Sequence, residues 1–186
     1  MGKSTVAALF RKSGVPVFDA DAAVHLLQGP GGALVPAIEA LHPGTTGPLG
    51  VDRRALGAVV LHDRAALRRL ERLVHPAVAR EKRRFLRRHQ GRPLVVLDVP
   101  LLFEAGGWRE VDRIAVVSAA AWQQRRRLLR RPAMTPARLA RLRALQLPDP
   151  AKRARADLVI PTGGTLGRTG AAVRRAIACF RAEARR

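Results

Sequence analysis

The order of apolar and polar positions divides the chain into helical and strand-like segments that alternate. Helical spacing predicts a short first helix over Ser4–Lys12, which Gly14 stops, and a last helix from Thr165 onward. Short continuous apolar runs predict four buried strands, within residues 15–21, 93–104, 113–119 and 156–162. Strands of this kind that alternate with helices are typical of a parallel sheet covered on both faces. We therefore expect an α/β fold.

The long middle of the chain, residues 22–90, is mostly helical in pattern. Glycine and proline interrupt its first half, which predicts turns there. Residues 52–90 are rich in arginine, leucine and alanine and predict two or three amphipathic helices. The residue before a proline is pushed out of the helical region, so we expect His75 and Pro76 at a helix boundary, where a structural role is the usual one for such a histidine.

A second helical stretch, Trp122–Leu147, is strongly basic and predicts a pair of helices broken at the sequence RPAMTP. Arg127 and Arg131 are four residues apart and therefore share one helix face. Guanidinium groups match phosphate oxygens and stabilise charge on a phosphoryl group during transfer. A solvated basic face is the alternative interpretation of the same arginines.

The charge of the chain is strongly positive. Lys and Arg number 35 against 14 Asp and Glu, which gives a formal charge of +21. Such an excess indicates a polyanionic partner, such as a nucleic acid, a nucleotide or an anionic membrane surface. Nearly all of these basic residues are arginine, however, and this also fits a general bias toward arginine on solvated faces. Tyrosine is absent, and the few aromatic residues are too scattered to indicate stacking platforms for nucleic acid bases.

The single cysteine, Cys179, excludes an internal disulfide bond and a metal site built from several cysteines. No apolar run approaches the ~18 residues of a membrane span, and no signal peptide is visible. We therefore expect a cytoplasmic protein. Cys179, Trp108 and Trp122 are expected to pack in the interior rather than to carry chemistry.

Carboxylates follow two of the predicted strands. Asp19 and Asp21 end the first strand, and Asp98 and Glu104 follow the second. Ligands bind at the carboxyl ends of parallel strands, where a carboxylate can accept a proton from an attacking hydroxyl or hold Mg²⁺ through water. Helix capping is the alternative for the first pair and for Glu104, and a hydrogen bond at the strand end is the alternative for Asp98.

The first residues of the chain contain half of a phosphate-binding loop. Gly2, Lys3 and Ser4 fit the last three positions of the pattern G-x-x-x-x-G-K-[ST]. In a complete loop the backbone amides surround the phosphates, the lysine reaches the β- and γ-phosphate oxygens, and the hydroxyl binds Mg²⁺. The helix that follows presents its positive N-terminus to the same anion. A chance match at the start of the chain is the alternative.

The order of these segments resembles the dephospho-coenzyme A kinase family, which belongs to the phosphate-loop proteins similar to nucleoside-monophosphate kinases. The segments that carry the resemblance are GKSTVAALF, GVPVFDADAAVH, LERLVHPAV, PLLFEAGGW, QQRRRLLRR, RLRALQ and AKRARADLVIPTGG. The resemblance implies a three-layer P-loop kinase fold with a parallel sheet, in which residues 1–186 form a single domain. It also implies a helical acceptor-binding insert over approximately residues 22–90 and a helical lid over approximately residues 121–147.

The same resemblance implies transfer of the γ-phosphoryl group of ATP, with Mg²⁺, to the 3′-hydroxyl of the ribose of dephospho-CoA, the last step of coenzyme A synthesis. The residues implied to bind ATP are Gly2, Lys3, Ser4, Thr5, Arg127 and Arg131. Those implied for catalysis are Lys3, Arg131, Asp21 and, as an alternative acid, Asp19. Those implied to bind the acceptor are Asp21, His75, Pro76, Leu101 and Glu104. Ser4 and Asp98 are implied to hold the metal.

The implied partners are therefore the two small-molecule substrates, with no nucleic acid and no membrane, and the chain is expected to be a monomer or a weak homo-oligomer. Other interpretations stay open: a related kinase for another nucleotide or sugar, a basic nucleic-acid binder without catalysis, or an inactive fragment.

The sequence departs from the family pattern at two places. The chain begins in the middle of the loop, without the first strand and the first glycine of the family, so we expect an N-terminally truncated reading in which Met1 is an internal residue. After ADLVI the chain continues with Pro161 and Thr162, where the family commonly has a turn that contains asparagine. This second departure puts the contacts with adenine in doubt.

Overall fold

The structure of the protein, a computed structural model, describes residues 2–130 and 134–184. The chain divides into two compact units. The first unit comprises Met1–Val17 and Arg92–Arg186, and the second comprises Phe18–Gly91. The division falls inside the first strand.

Helices and strands alternate in the first unit, as the apolar pattern predicts. Its elements in chain order are α1 (Lys3–Lys12), β1 (Val17–Asp19, at the division), then, after the second unit, β4 (Val96–Asp98), a 3₁₀ helix (Gly107–Glu110), β5 (Ala115–Ser118), α6 (Ala121–Leu129), α7 (Pro136–Ala144), α8 (Asp149–Ala154), β6 (Leu158–Pro161) and α9 (Leu166–Glu183). The predicted first and last helices, the four strands and the pair of basic helices are therefore confirmed.

The strands of this unit form two short pairs. β5 and β6 are parallel, with Ala115 opposite Leu158 and Ser118 opposite Pro161. β1 neighbours β4, and the N–H of Val96 donates to the carbonyl of the residue before β1 at 2.9 Å. Within the described residues the two pairs are separate two-stranded sheets. The predicted α/β class is confirmed.

One apolar core joins these elements. Val6 and Phe10 lie one turn apart on α1 and are 4% and 3% exposed. They pack with Ile160 of β6 and with the buried face of α9. That face consists of small and branched residues at helical spacing, namely Ala172, Val173, Ala176 and Ile177. Because small side chains permit close approach of two helices, α9 can support α1 along much of its length.

The second unit is mostly helical, as predicted. Its elements are α2 (Ala20–Gln28), α3 (Val35–Leu41), β2 (Thr46–Gly47), β3 (Gly50–Val51), α4 (Arg53–Val60) and α5 (Arg64–Arg88). β2 and β3 form a small antiparallel hairpin. Gly50 has φ 92°, and a side chain on it would collide with the backbone of Gln28, so the hairpin requires glycine at this position. Ile38, which is fully buried, lies in a core that includes residues of α2, α4 and α5.

The prediction that His75 and Pro76 mark a helix boundary is wrong. Both lie inside α5, which is 25 residues long. A proline inside a helix removes one backbone hydrogen bond, but residues on both sides of Pro76 pack into the core of this unit. These are Leu70, Leu73, Val74, Ala77 and Val78. Their burial offsets the lost bond, and the helix continues.

Three further residues are more accessible than expected. Trp108 and Trp122 are 40% and 62% exposed, and the guanidinium of Arg109 lies over the Trp108 ring at 4.5 Å from its centroid. Cys179 is also exposed, with its Sγ 3.6 Å from a carboxylate oxygen of Glu183. Other small residues of α9, such as Ala172 and Ala176, form its buried face, and Cys179 lies on the side that faces solvent.

None of the helices in the described part of the chain combines the length and the apolar character that a membrane crossing requires.

Candidate active site

The N-terminus of α1 is open and positively charged. Gly2 is the N-cap residue with φ 90°, and no side chain caps the helix there. The first N–H groups of a helix have no partner within it, and the helix dipole adds partial positive charge at this end. Lys3 adds a full charge, and Ser4 and Thr5 are exposed beside it. This end of α1 is therefore suited to bind an anion such as a phosphate.

A salt bridge joins the same end of α1 to the end of β4. Lys3 Nζ lies 2.8 Å from Asp98 Oδ1. The Asp98 side chain is 8% exposed and the Lys3 side chain is 42% exposed, so the acid is buried while the lysine side chain is partly accessible to solvent. Burial of a carboxylate is unfavourable without a partner, and Lys3 supplies one. The fold thus brings together two predicted site residues that are distant in the chain.

The connection between β6 and α9, residues 162–165, contacts α1 at its start. A Cβ atom built on Gly2 would lie 3.2 Å from Cβ and Cγ2 of Thr162 and 3.3 Å from its Oγ1. Thr162 is buried, with 6% exposure. Gly2 therefore packs against the Thr162 side chain, and position 2 has little room for a larger residue.

Helix α6 holds the same connection through two side chains. Arg127 Nη2 donates to the carbonyl oxygen of Thr162 at 2.8 Å, and Gln123 Nε2 donates to the carbonyl oxygen of Gly163 at 2.9 Å. The two donors are one helical turn apart. Arg127, which is predicted to bind ATP, is therefore anchored to the residue that contacts Gly2.

A cleft of about 520 Å³ lies at the carboxyl ends of β5 and β6. Its lining includes Ser118, Gln123, Pro161, Gly163, Arg153 and Arg168. The two arginines make it positive, and its size is within the range of small-molecule sites. Ligands of parallel sheets bind at this edge, so the cleft is a candidate site for part of a nucleotide.

A hydrogen-bond network fixes the base of α8 next to this cleft. Ser118 Oγ donates to Asp149 Oδ2 at 2.7 Å, and Gln124 Nε2 donates to Asp149 Oδ1 at 3.3 Å and to the Ala119 carbonyl at 2.8 Å. Ser118 and Gln124 are buried. Because the network joins β5, α6 and α8, it defines where the predicted lid segment is attached.

Glu104 is a second anchor of that segment. Its side chain is 19% exposed and that of Lys152 is 13% exposed. Glu104 Oε1 accepts hydrogen bonds from Lys152 Nζ at 2.9 Å and from the N–H of Leu147 at 2.7 Å. Burial alone would raise the pKa of this carboxyl, but the bonds from Lys152 and Leu147 outweigh burial and lower the pKa below its ordinary value.

The turn before Glu104 has a strained backbone. Leu101 has φ 53° and is, among the described residues, the one non-glycine residue with positive φ. It is 44% exposed, and its carbonyl accepts from the N–H of Ala105 at 2.9 Å. An L-residue in this region costs about 1 kcal/mol or more, and such strain is concentrated at functional sites. The conformation is therefore consistent with the predicted role of Leu101 in acceptor binding.

The second unit contains the remaining predicted acids, and their environments differ. Asp19 ends β1 and caps α2, because its Oδ1 accepts from the N–H of Ala22 at 3.0 Å. Asp21 lies in the first turn of α2 and is exposed. The capping interpretation is thus confirmed for Asp19, while the carboxylate of Asp21 is accessible to a ligand.

Two other predicted site residues lie in the middle of a helix. His75 and Pro76 are exposed in the middle of α5. Arg131 lies outside the described residues. Sequence reasoning assigned no role to Gln123, Ser118 or Asp149, and it noted Thr162 only as a departure from the family pattern. The available signal was the pair Gly163–Gly164, which follows the end of β6 after Thr162 and is typical of a turn that approaches a ligand or another backbone.

The oxygen donors at this site fit a metal ion that substrate phosphates help to bind. No group of three or more His, Cys, Asp or Glu side chains within residues 2–130 and 134–184 could hold a metal by itself. Mg²⁺, however, commonly binds through one or two protein oxygens together with substrate phosphates and water. The Ser4 hydroxyl and the Asp98 carboxylate are oxygen donors of that kind at the end of α1.

The chain is similar to known proteins along most of its length. The family model described as dephospho-CoA kinase matches residues 1–167. A dephospho-CoA kinase from Novosphingobium aromaticivorans is 61% identical over 169 residues, which are 91% of this chain and 84% of that protein. A dephospho-CoA kinase from Zymomonas mobilis is 49% identical over 180 residues, 97% of this chain and 91% of that protein.

Solved structures share the fold. A crystal structure from Thermus thermophilus superimposes on this chain with a TM-score of 0.77 at 36% sequence identity. The superposition covers 95% of this chain and 91% of the Thermus thermophilus chain. The structure of dephospho-CoA kinase from Campylobacter jejuni superimposes on this chain with a TM-score of 0.67 at 19% sequence identity. The superposition covers 96% of this chain and 91% of the Campylobacter jejuni chain.

We predict that Glu104 makes stability depend on pH in acid. Its pKa is lowered in the folded chain from an ordinary value of 4.5, so its stabilising effect is complete above that value and is lost as the pH falls through the folded pKa. Glu104→Gln should therefore be less stable than wild type near neutrality, and the difference should shrink between about pH 5 and pH 3. Urea unfolding across this range measures the difference. Glu71→Gln, which changes an exposed residue of α5, is the control. A difference that stays constant with pH would contradict the prediction.

Proposed function

The chain belongs to the dephospho-CoA kinase family, and we propose from this premise that it transfers the γ-phosphoryl group of ATP to the 3′-hydroxyl of dephospho-CoA, giving CoA and ADP. The observation that carries the proposal is the open N-terminus of α1 with Lys3 next to the buried Asp98. A phosphoryl-transfer enzyme works mainly by positioning and by stabilising negative charge. This end of α1 offers both.

Lys3 and the first turn of α1 would bind the phosphates of ATP. The N–H groups of Ser4 and Thr5 and the helix dipole would attract the anion. Lys3 pairs with Asp98, and a phosphate would compete for its ammonium group, since the Lys3 side chain is 42% exposed. Arg127 would add a guanidinium from the lid side, as would Arg131.

The cleft at the ends of β5 and β6 would hold the nucleoside part of ATP. It lies next to the connection that contacts Gly2, so a nucleotide could extend from the cleft to the end of α1. Arg153 and Arg168 would contribute positive charge, and Gln123 and Gly163 would offer polar atoms. Thr162 stands where the family commonly has a turn that contains asparagine, and this departure would be compatible with binding of the nucleoside in this cleft.

Mg²⁺ would be held by the Ser4 hydroxyl and by the Asp98 carboxylate, directly or through water. The ion, when bound, neutralises charge on the transferred group. Asp98 would be released from Lys3 when the lysine turns to the phosphates. The buried position of Asp98 keeps its carboxylate in one place for this exchange.

The acceptor-binding residues are proposed from the resemblance to the family. Asp21 would accept the proton from the 3′-hydroxyl, because its carboxylate is exposed at the start of α2. Asp19 would serve chiefly as the helix cap. His75, Pro76, Leu101 and Glu104 would contribute to the acceptor side, Glu104 through its anchoring of the lid base.

The proposed organisation is a single kinase domain over residues 1–186, with an acceptor-binding insert near residues 22–90 and a lid near residues 121–147. Closure of the lid would exclude water, which otherwise competes as acceptor. We further propose that the enzyme acts in the cytoplasm on its two small substrates, as a monomer or weak homo-oligomer, without nucleic acid or membrane as partner.

The proposed activity predicts that dephospho-CoA is the preferred acceptor. ADP release, coupled to a dehydrogenase, is measured with dephospho-CoA and with a panel of nucleosides, nucleotides and sugars, and the product is identified by mass. Lys3→Ala should lower kcat at least about 100-fold, because a charge donor to the phosphates is lost. Rapid turnover of another acceptor would favour a different kinase activity. An unchanged kcat in Lys3→Ala would contradict the assignment of the phosphate site to the N-terminus of α1.

The proposed division of labour between the two acids predicts unequal effects of matched substitutions. Asp21→Asn should lower kcat about 100-fold with little change in KM for ATP, because the proton acceptor is lost. Asp19→Asn should lower kcat less than about fivefold, because asparagine still caps the helix. Steady-state kinetics with both substrates varied provides the values. The reverse order of the two effects would assign the acid to Asp19.

A further inference from the structure

We infer that Thr162 is a positioning residue of the phosphate site, which holds the start of α1 and the guanidinium of Arg127 in a fixed relation. This inference rests on the proposed function. Thr162 itself touches no substrate in the proposed arrangement. It acts through the two elements that do.

The first contact of Thr162 is steric. Three atoms of its side chain, Cβ, Cγ2 and Oγ1, would all lie within 3.3 Å of a Cβ on Gly2. The bare Cα of Gly2 therefore rests on the branched face of the threonine. Gly2 is the residue whose left-handed conformation, φ 90°, sets the direction in which α1 begins. A shift of Gly2 would turn the first N–H groups and Lys3 together.

The second contact of Thr162 holds it in place. Its N–H donates to the carbonyl oxygen of Ser118 at 2.8 Å, and its Oγ1 donates to the same oxygen at 3.1 Å. Ser118 is the last residue of β5 and is itself buried, with its hydroxyl bonded to Asp149. Thr162 is therefore fastened to the rigid end of the parallel pair, and it can serve as a fixed support for Gly2.

The third contact extends to the lid helix. The Thr162 carbonyl accepts the hydrogen bond from Arg127 Nη2 at 2.8 Å. A guanidinium group has five N–H donors, so this bond leaves other donors of Arg127 available for phosphate. The same residue thus supports Gly2 with its side chain and orients Arg127 with its carbonyl. Both groups are proposed to bind the phosphates of ATP. This requires a fixed distance between the start of α1 and the Arg127 guanidinium.

The shape of the threonine matters more than its hydroxyl in this arrangement. The Ser118 carbonyl retains the N–H of residue 162 as a donor in any variant other than proline. Valine has the same branched shape as threonine without the hydroxyl, and alanine lacks both Cγ2 and Oγ1. The inference therefore predicts that valine preserves the support of Gly2 and that alanine loses it.

The experiment compares Thr162→Ala, Thr162→Val and a control, Thr169→Ala, in the full chain. Thr169 is also buried, at 4% exposure, and its Oγ1 donates to the carbonyl oxygens of Pro161 and Thr165, each at 3.3 Å. Thr162→Ala should raise KM for ATP about fivefold to tenfold, since small misplacements at reacting groups are costly, and should leave KM for dephospho-CoA unchanged. Thr162→Val and Thr169→Ala should remain within about twofold of wild type for both.

A double-mutant cycle with Gly2→Ala isolates the contact. If Gly2 and Thr162 act through each other, the effects of Gly2→Ala and Thr162→Ala on kcat/KM for ATP should depart from additivity by at least about threefold. The melting temperature of each variant shows whether it is folded, and Thr162→Ser, which keeps the hydroxyl but lacks Cγ2, carries the comparison if Thr162→Ala does not fold.

Additive effects, or equal changes in KM for both substrates, would overturn the role of Thr162. Equal losses in Thr162→Ala and Thr169→Ala would do so as well. These results require an active wild type. Wild type that binds ATP but does not phosphorylate dephospho-CoA would instead overturn the proposed function, and the inference with it.

Discussion

The packing of α1 into the core of the first unit is the constraint on which the site depends. Val6 and Phe10 are almost completely buried against β6 and α9, and this burial fixes both the axis and the rotation of α1. The first turn of the same helix must then point Lys3 toward the end of β4, where Asp98 is buried. The apolar face of α1 thus determines where the N-terminus of the helix lies.

Acids are few in this arginine-rich chain, and several of them have identifiable partners. Asp98 neutralises Lys3, and Glu104 holds Lys152 and the N–H of Leu147. Asp149 accepts from Ser118 and Gln124. Each of these contacts ends at a strand end or at the base of the predicted lid. The positive charge of the chain is thus balanced locally at points that fix the site, while the exposed arginines remain available to attract phosphate.

Periodicity predicted the order of strands and helices well, because burial follows local apolar spacing. The same reasoning failed at His75 and Pro76, because the tertiary packing of residues on both sides of the proline outweighs its local preference. It recognised Lys3 and Asp98 from their types and positions, but it did not assign a supporting role to Thr162 or Gln123. Their roles arise from contacts with Gly2 and with the carbonyl oxygen of Gly163, which no short-range pattern encodes.

The central claim is that the N-terminus of α1 is where the phosphates of ATP bind. The most direct measurement is a crystal structure of the chain with a non-hydrolysable ATP analogue. The account predicts a phosphate oxygen within hydrogen-bond distance of Lys3 Nζ and of the first N–H groups of α1, with the Lys3–Asp98 salt bridge broken and the base in the cleft lined by Gln123. Phosphates bound elsewhere, with Lys3 still paired to Asp98, would contradict it.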